Sequence, residues 1–114
     1  MAKRTAVKPS AAGTKRFELI HPAAGGIEFV NRFAGFEFYK NMVAHNGAGV
    51  AVGDVNGDDL ADIYLCNIQG GNALYLNQGN FRFRPVTQTA GIAIKDKMST
   101  GSALADVDND GDKD

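Results

Sequence analysis

Two acidic loops, one repeat apart, constrain this chain more than any other feature of its sequence. In residues 49–62 an alternating strand of small residues runs into a loop with oxygen-bearing side chains at every second position. These side chains are Asp54, Asn56, Asp58 and Asp62. Because a tight loop around an ion points alternate residues inward, this spacing is typical of a site for a hard cation.

The same pattern returns in residues 101–114, with a period of 52 residues from Asp54 to Asp106. A repeat of this length indicates a solenoid, a propeller or an array. The identical pairs are Gly49/Gly101, Ala51/Ala103, Asp54/Asp106, Val55/Val107, Asp58/Asp110 and Asp62/Asp114.

Each loop predicts one calcium site. Calcium takes about six to eight oxygen ligands at roughly 2.3–2.6 Å and tolerates irregular geometry, whereas magnesium demands a near-ideal octahedron. We expect calcium to have a structural role, because carboxylates forced together repel one another until a cation joins them. The first predicted site consists of Asp54, Asn56, Asp58, Asp62 and the Leu60 carbonyl, and the second of Asp106, Asp108, Asp110, Asp114 and the Asp112 carbonyl.

Two other interpretations of the loops are weaker. Asp, Asn and Gly clusters also form simple turns, but two copies in register after matching strands favour metal binding. An EF-hand needs a Glu at loop position twelve and helices on both sides, whereas here position twelve is Leu65 and the flanks alternate like strands. We expect no metal role for His21 or His45, since neither lies beside a cysteine or a second histidine.

One period contains four short apolar segments separated by Gly-rich turns, at residues 49–53, 63–67, 73–77 and 81–84. Four antiparallel strands are the content of one propeller blade, so the predicted fold class is all-β. The small residues of the first strand would let it pack closely against copies of itself. A closed propeller needs about four to eight blades, so we expect this chain to be a fragment of a larger propeller.

The sequence divides into four parts. Residues 1–16 form a basic tail that we expect to be disordered, and residues 46–98 form one complete blade. Residues 17–45 resemble the end of a repeat, with strands predicted at 17–20 and 26–30. Residues 31–45 are predicted to be a loop that could include one further strand. Residues 99–114 open the next repeat, with a strand predicted at 100–105.

Composition excludes some classes of function. The formal net charge is −1 and no basic stripe is interleaved with aromatic residues, so we expect no nucleic-acid partner. No apolar run approaches the roughly 18 residues that a membrane span requires, and no apolar signal core follows the basic tail. The single cysteine, Cys66, is predicted to be a buried structural thiol.

Residues 46–58 and 61–65, together with 72–81 and 86–92, resemble FG-GAP/VCBS-type repeats. The nearest branch is that of cartilage acidic protein-like and ASPIC/UnbV-type proteins, and the resemblance covers roughly residues 17–114. It implies a β-propeller like the head of integrin α chains, with calcium in the hairpin loops of several blades. It also implies a secreted or surface-exposed protein that binds an unknown protein or carbohydrate ligand.

One loop position departs from this family. The family usually has Gly at loop position six, where this sequence has Asp59 in the first loop and Gly111 in the second. That position needs a left-handed backbone, which Asp adopts less readily than Gly. We therefore expect the first site to be weaker.

The predicted function is that of a non-catalytic, calcium-binding repeat module in adhesion or ligand binding. No base, nucleophile and orienting group can be proposed together within the chain. Two alternatives stay open: a purely structural repeat, and a fragment of a propeller-type carbohydrate-active enzyme whose active site lies in other blades.

Overall fold

The computed structural model describes residues 19–33, 47–111 and 113. None of the helices in these residues is long and apolar enough to span a membrane. The elements are α1 (Pro22–Gly25), β1 (Val50–Gly53), β2 (Asp62–Leu65), β3 (Ala73–Asn77) and β4 (Phe83–Pro85).

The four strands form one antiparallel sheet in the order β1-β2-β3-β4. In its register Ala51 lies opposite Tyr64, which in turn lies opposite Leu74. The sheet confirms the all-β fold class and the four-strand content of one blade. The prediction for β3 matches its bounds, β1 begins one residue later than predicted, and β2 and β4 differ from their predicted bounds by one or two residues at each end.

The sheet has two faces, because side chains alternate along each strand and paired residues share a side. Ala51, Tyr64 and Leu74 define the Tyr64 face, on which residues 102–104 lie around a cavity of about 370 Å³. The opposite face carries Ile63 and Tyr75 and is called the Ile63 face. Residues 20–27 cover part of it around a cavity of about 290 Å³.

Helix α1 replaces regular strand structure in the N-terminal segment. His21 Nδ1 accepts a hydrogen bond from the Ala23 N–H at 3.3 Å, and Pro22 opens the helix. Gly26 ends it with a left-handed φ of 75°, which glycine adopts without steric cost. Pro at the start and Gly just past the end of a helix are its usual signals.

The predicted strand at residues 26–30 is wrong, because these residues form no strand. The segment crosses the sheet instead of pairing along its edge: a Cβ added at Gly26 would lie only 2.6 Å from the Phe83 carbonyl oxygen. Leu19 and Ile20 are not in a strand either. The rest of the predicted strand at 17–20, the basic tail, His45 and most of the predicted loop at 31–45 lie outside the described residues.

Buried Asn67 holds the N-terminal segment to the sheet, and buried Asn72 in turn bonds to the backbone of Asn67. Asn67 and Asn72 are 4% and 3% exposed. Asn67 Oδ1 accepts from the Arg32 N–H at 3.1 Å, and Asn67 Nδ2 donates to the Val30 carbonyl at 3.1 Å. Asn72 Oδ1 accepts from the Asn67 N–H at 2.9 Å, and Asn72 Nδ2 donates to Ser99 Oγ at 2.9 Å. These bonds offset the desolvation of both amides, and the sequence analysis did not identify either residue.

Burial confirms the prediction for Cys66, whose exposed fraction is 1%. The predicted strand at 100–105 is absent, although its side chains alternate between partly buried Ser102 and Leu104 and exposed Ala103 and Ala105. Within the described part of the chain, no strand of the sheet pairs with this segment. Residues 102–104 lie on the Tyr64 face but form no β-ladder hydrogen bonds with the sheet.

Candidate metal sites in the two repeat loops

Asp54 organises the first loop from the end of β1. Its Oδ1 accepts from the N–H groups of Asn56, Gly57 and Asp58 at 3.2, 2.8 and 3.2 Å, and its Oδ2 accepts from Asp59 at 2.8 Å. Burial raises the pKa of this carboxyl, but the four backbone donors together lower it more, so the pKa lies below its ordinary value of 3.8. The loop is therefore built around an ionised Asp54.

The other oxygen side chains of the first loop are linked to one another. Asn56 Nδ2 donates to Asp58 Oδ2 at 3.0 Å, and Asn56 Oδ1 accepts from the Asp58 N–H at 3.2 Å. Asp58 Oδ1 accepts from the Leu60 N–H at 2.9 Å. The amide of Asn56 thus places a donor where the second loop has a carboxylate.

Asp62, the last predicted ligand of the first loop, is fully buried at the start of β2. Its Oδ2 accepts from the Val55 N–H at 3.0 Å and its Oδ1 from the Asn77 N–H at 2.7 Å. The carboxylate therefore connects the loop to the end of β3. Sequence spacing identified Asp62 as important but did not reveal this connecting role.

The second loop repeats three hydrogen bonds of the first. The Asp110 N–H donates to Asp106 Oδ1 and to Asp108 Oδ1, both at 3.2 Å, and the Gly111 N–H donates to Asp106 Oδ2 at 3.0 Å. Each bond has a counterpart 52 residues earlier, at 3.2, 3.2 and 2.8 Å. The two loops therefore share one backbone arrangement.

Left-handed backbone occurs at the same two positions in both loops. Loop position six has φ of 64° at Asp59 and 100° at Gly111, which confirms the expected conformation there. Position four has φ of 77° at Gly57 and 63° at Asn109. Each loop thus has glycine at one of these positions and an Asp or Asn, which tolerate this region, at the other.

The acidic side chains converge in the second loop. Among the described residues, ligand atoms of Asp106, Asp108 and Asp110 all lie within 4.8 Å of one another. Two oxygens that share a calcium ion at about 2.3–2.6 Å lie at most about 5 Å apart, so this donor set fits the ion. Asp112 and Asp114, the other predicted ligands, lie outside the described residues.

The carboxylates of the first loop converge less. In the part of the chain that the structure describes, Asp54, Asp58 and Asp62 do not form a group of three with ligand atoms that close together. Asn56 offers an amide oxygen between Asp54 and Asp58, and Leu60 is exposed beside them. Asp62 faces the sheet.

Comparison with known proteins agrees with this repeated architecture. The family model described as FG-GAP-like repeat matches residues 54–114, more than half of the 114-residue chain. The chain belongs to the FG-GAP-like repeat family. The matched region of this FG-GAP-like repeat begins at Asp54, the first predicted ligand of the first loop, and extends through both loops.

Curated relatives belong to the branch that the sequence resembles. Cartilage acidic protein 1 of Mus musculus is 38% identical over 65 residues, 57% of this chain and 10% of that protein. The proteins of the same name from Homo sapiens and Xenopus tropicalis are 35% and 34% identical over the same shares. The chain therefore spans about a tenth of the length of these relatives. No solved structure matches it significantly.

Proposed function

We propose that this FG-GAP-like repeat binds calcium through its two acidic loops and serves as a non-catalytic module in adhesion or ligand binding. The observation that carries the proposal is the convergence of the Asp106, Asp108 and Asp110 carboxylates to within 4.8 Å. Three like charges at this separation repel one another, and a bound cation converts that repulsion into attraction.

The second loop would hold its ion with Asp106, Asp108 and Asp110, and the sequence adds the Asp112 carbonyl and Asp114. Calcium supplies positive charge and a flexible coordination shell. The backbone N–H groups of Asp110 and Gly111 orient Asp106 toward its neighbours. The loop's own contribution is thus to hold the acidic side chains together before the ion arrives.

The first loop would hold a second, weaker ion with Asp54, Asn56, Asp58 and the Leu60 carbonyl. Its weakness follows from the Asn56 amide, which brings no charge and already donates to Asp58 at 3.0 Å. Affinity of calcium sites depends on the number of charged ligands and on site rigidity. In this proposal Asp62 keeps the loop attached to the sheet.

We infer an extracellular setting and a protein or carbohydrate ligand. The curated relatives carry cartilage in their names. Calcium modules outside cells work with dissociation constants of about 0.1–1 mM, a range that suits a site in which Asp108 and Asp110 are exposed and Asp106 is only partly buried.

Thermal unfolding with about 1 mM calcium, 1 mM magnesium or a chelator tests the calcium proposal. A ligand that binds only the folded state stabilises it by RT ln(1 + [L]/Kd), so calcium should raise the Tm and magnesium should raise it much less. The double variant D106A/D108A is the control and should lose most of the calcium effect. Equal melting under all three conditions would refute calcium binding.

A further inference from the structure

The chain already contains one contact between equivalent positions of successive repeats. Gly49 and Gly101 lie 52 residues apart, and a Cβ added at Gly49 would lie 2.6 Å from the Gly101 Cα. Four residues later, at the end of β1, a Cβ added at Gly53 would lie 3.1 Å from Leu104 Cδ1. The small-residue side of β1 is therefore filled by the backbone of Gly101 and the side chain of Leu104.

The repeat counterpart of Leu104 is exposed. Val52 precedes Leu104 by one period, and Val50 precedes Ser102 in the same way. Val50 and Val52, which we call the valine strip, lie on the Ile63 face of β1 and are 56% and 61% exposed. The side chains that would fill the small-residue side of a preceding repeat thus face solvent.

In the second repeat, the residues that correspond to the small-residue side of β1 are also exposed. Gly101, Ala103 and Ala105 follow Gly49, Ala51 and Gly53 by one period, and all three are exposed. A Cβ added at Gly101 would meet no atom within 4 Å. We call these three residues the small-residue strip.

We propose that the chain associates head to tail with a second copy of itself, the valine strip of one copy packing on the small-residue strip of the other. Both halves of the contact occur on one chain, and the same contact is already made once within it. Residues 20–27 cover the Ile63 face around Ile63 and Phe83, whereas the valine strip and the small-residue strip are both exposed. The proposal does not depend on bound calcium.

Such an interface is heterologous, because two different surfaces meet. A strip one strand wide belongs with small interfaces that bury under about 1,200 Å². We therefore expect weak association, on the order of 100 µM.

Three matched variants of the full chain separate the two surfaces. V50Q/V52Q places amides on the valine strip and leaves the small-residue strip intact. G101Q places a side chain where the second copy would dock. Within one chain its Cβ would have no atom within 4 Å, so the substitution causes no clash there. L19Q is the control, since Leu19 is a 95% exposed apolar residue outside both strips. All positions are exposed, and circular dichroism would verify that each variant folds.

Sedimentation equilibrium, with calcium and with chelator, provides the readout. Wild type and L19Q should associate. V50Q/V52Q and G101Q should each need a protein concentration about tenfold higher, or more, to associate to the same extent. An equimolar mixture of the two blocked variants should form a one-to-one dimer, because each retains the strip that the other has lost. A wild type that stays monomeric to about 1 mM, association of G101Q equal to that of wild type, or a mixture that stays monomeric would overturn the proposal.

Discussion

The two acidic loops have the same backbone but different charge. Both have left-handed residues at positions four and six, and both use the first Asp to accept the N–H groups of positions five and six. At position three the first loop has Asn56, which donates to Asp58, and the second has Asp108, which joins a cluster of three carboxylates. The two loops therefore share a backbone geometry and differ in the charge at position three.

From this difference we expect the second loop to depend on calcium more than the first. The first loop is held by the Asn56 amide and by the buried Asp62 carboxylate, which bonds to Val55 and Asn77. It is expected to form without a cation. The second loop gathers its acidic groups without such an amide, so calcium should have its larger effect there.

The largest expected effect comes from Asp62→Ala. The substitution leaves the N–H groups of Val55 and Asn77 without their carboxylate acceptor. We expect a loss of about 2–4 kcal/mol in the free energy of unfolding, because unsatisfied donors that are shielded from water are costly. Urea denaturation measures this loss, with the exposed Asp96→Ala as the control. If the two variants were equally stable, Asp62 would not connect the loop to β3.

Exchanging the residues at position three should exchange the relative calcium affinities of the two loops. Asp108→Asn is expected to lower calcium affinity at the second loop about tenfold, and Asn56→Asp to raise it at the first loop by a similar factor, because charged ligands set calcium affinity. Without calcium, Asn56→Asp should destabilise the chain, since it removes the donor to Asp58. Competition with a calcium-sensitive dye would measure both affinities. Unchanged affinities would show that position three does not contact the ion.

Asp59→Gly is expected to have a smaller effect. Asp59 has a φ of 64°, where glycine carries no steric penalty. The variant should be about 0.5 kcal/mol more stable and should bind calcium more tightly at the first loop. The reverse exchange, Gly111→Asp, should destabilise the second loop by a similar amount. Lower stability or weaker binding in Asp59→Gly would mean that the Asp59 carboxylate itself contributes.

The smallest expected effect is the acid response of the first loop. The four backbone donors hold the pKa of Asp54 below 3.8. The stability that this carboxylate contributes is therefore complete above that value and is lost as the pH falls through the lower pKa of the folded chain. An NMR pH titration should find the Asp54 carboxyl below 3.8, and Asp54→Asn should lack this part of the acid response. A value at or above 3.8 would contradict the four-donor geometry.

Local patterns predicted local structure well. Two-residue alternation, Gly-rich turns and the 52-residue period located β1 to β4. The sixth loop position was expected to be left-handed, and Asp59 is. Helix α1 carried its own signals in Pro22 and Gly26, but its single turn has no apolar periodicity. The strand at 100–105 did not form because strand structure needs a pairing partner, not only an alternating sequence.

Long-range features were beyond the sequence. Asn67 binds the Val30 carbonyl 37 residues away, and Asp62 binds the Asn77 N–H 15 residues away. Such pairs produce no periodic pattern in the sequence, because the tertiary structure decides which distant residues come together. The repeat could identify Asp62 as a candidate ligand but could not show that its side chain is buried against β3.

Calcium titration by calorimetry of wild type, N56A and D108A tests the central claim most directly, since these two residues occupy the same loop position. The account predicts two calcium ions per wild-type chain, with the tighter site removed by D108A and retained in N56A. Absence of saturable calcium binding, or loss of the tighter site in N56A alone, would contradict it.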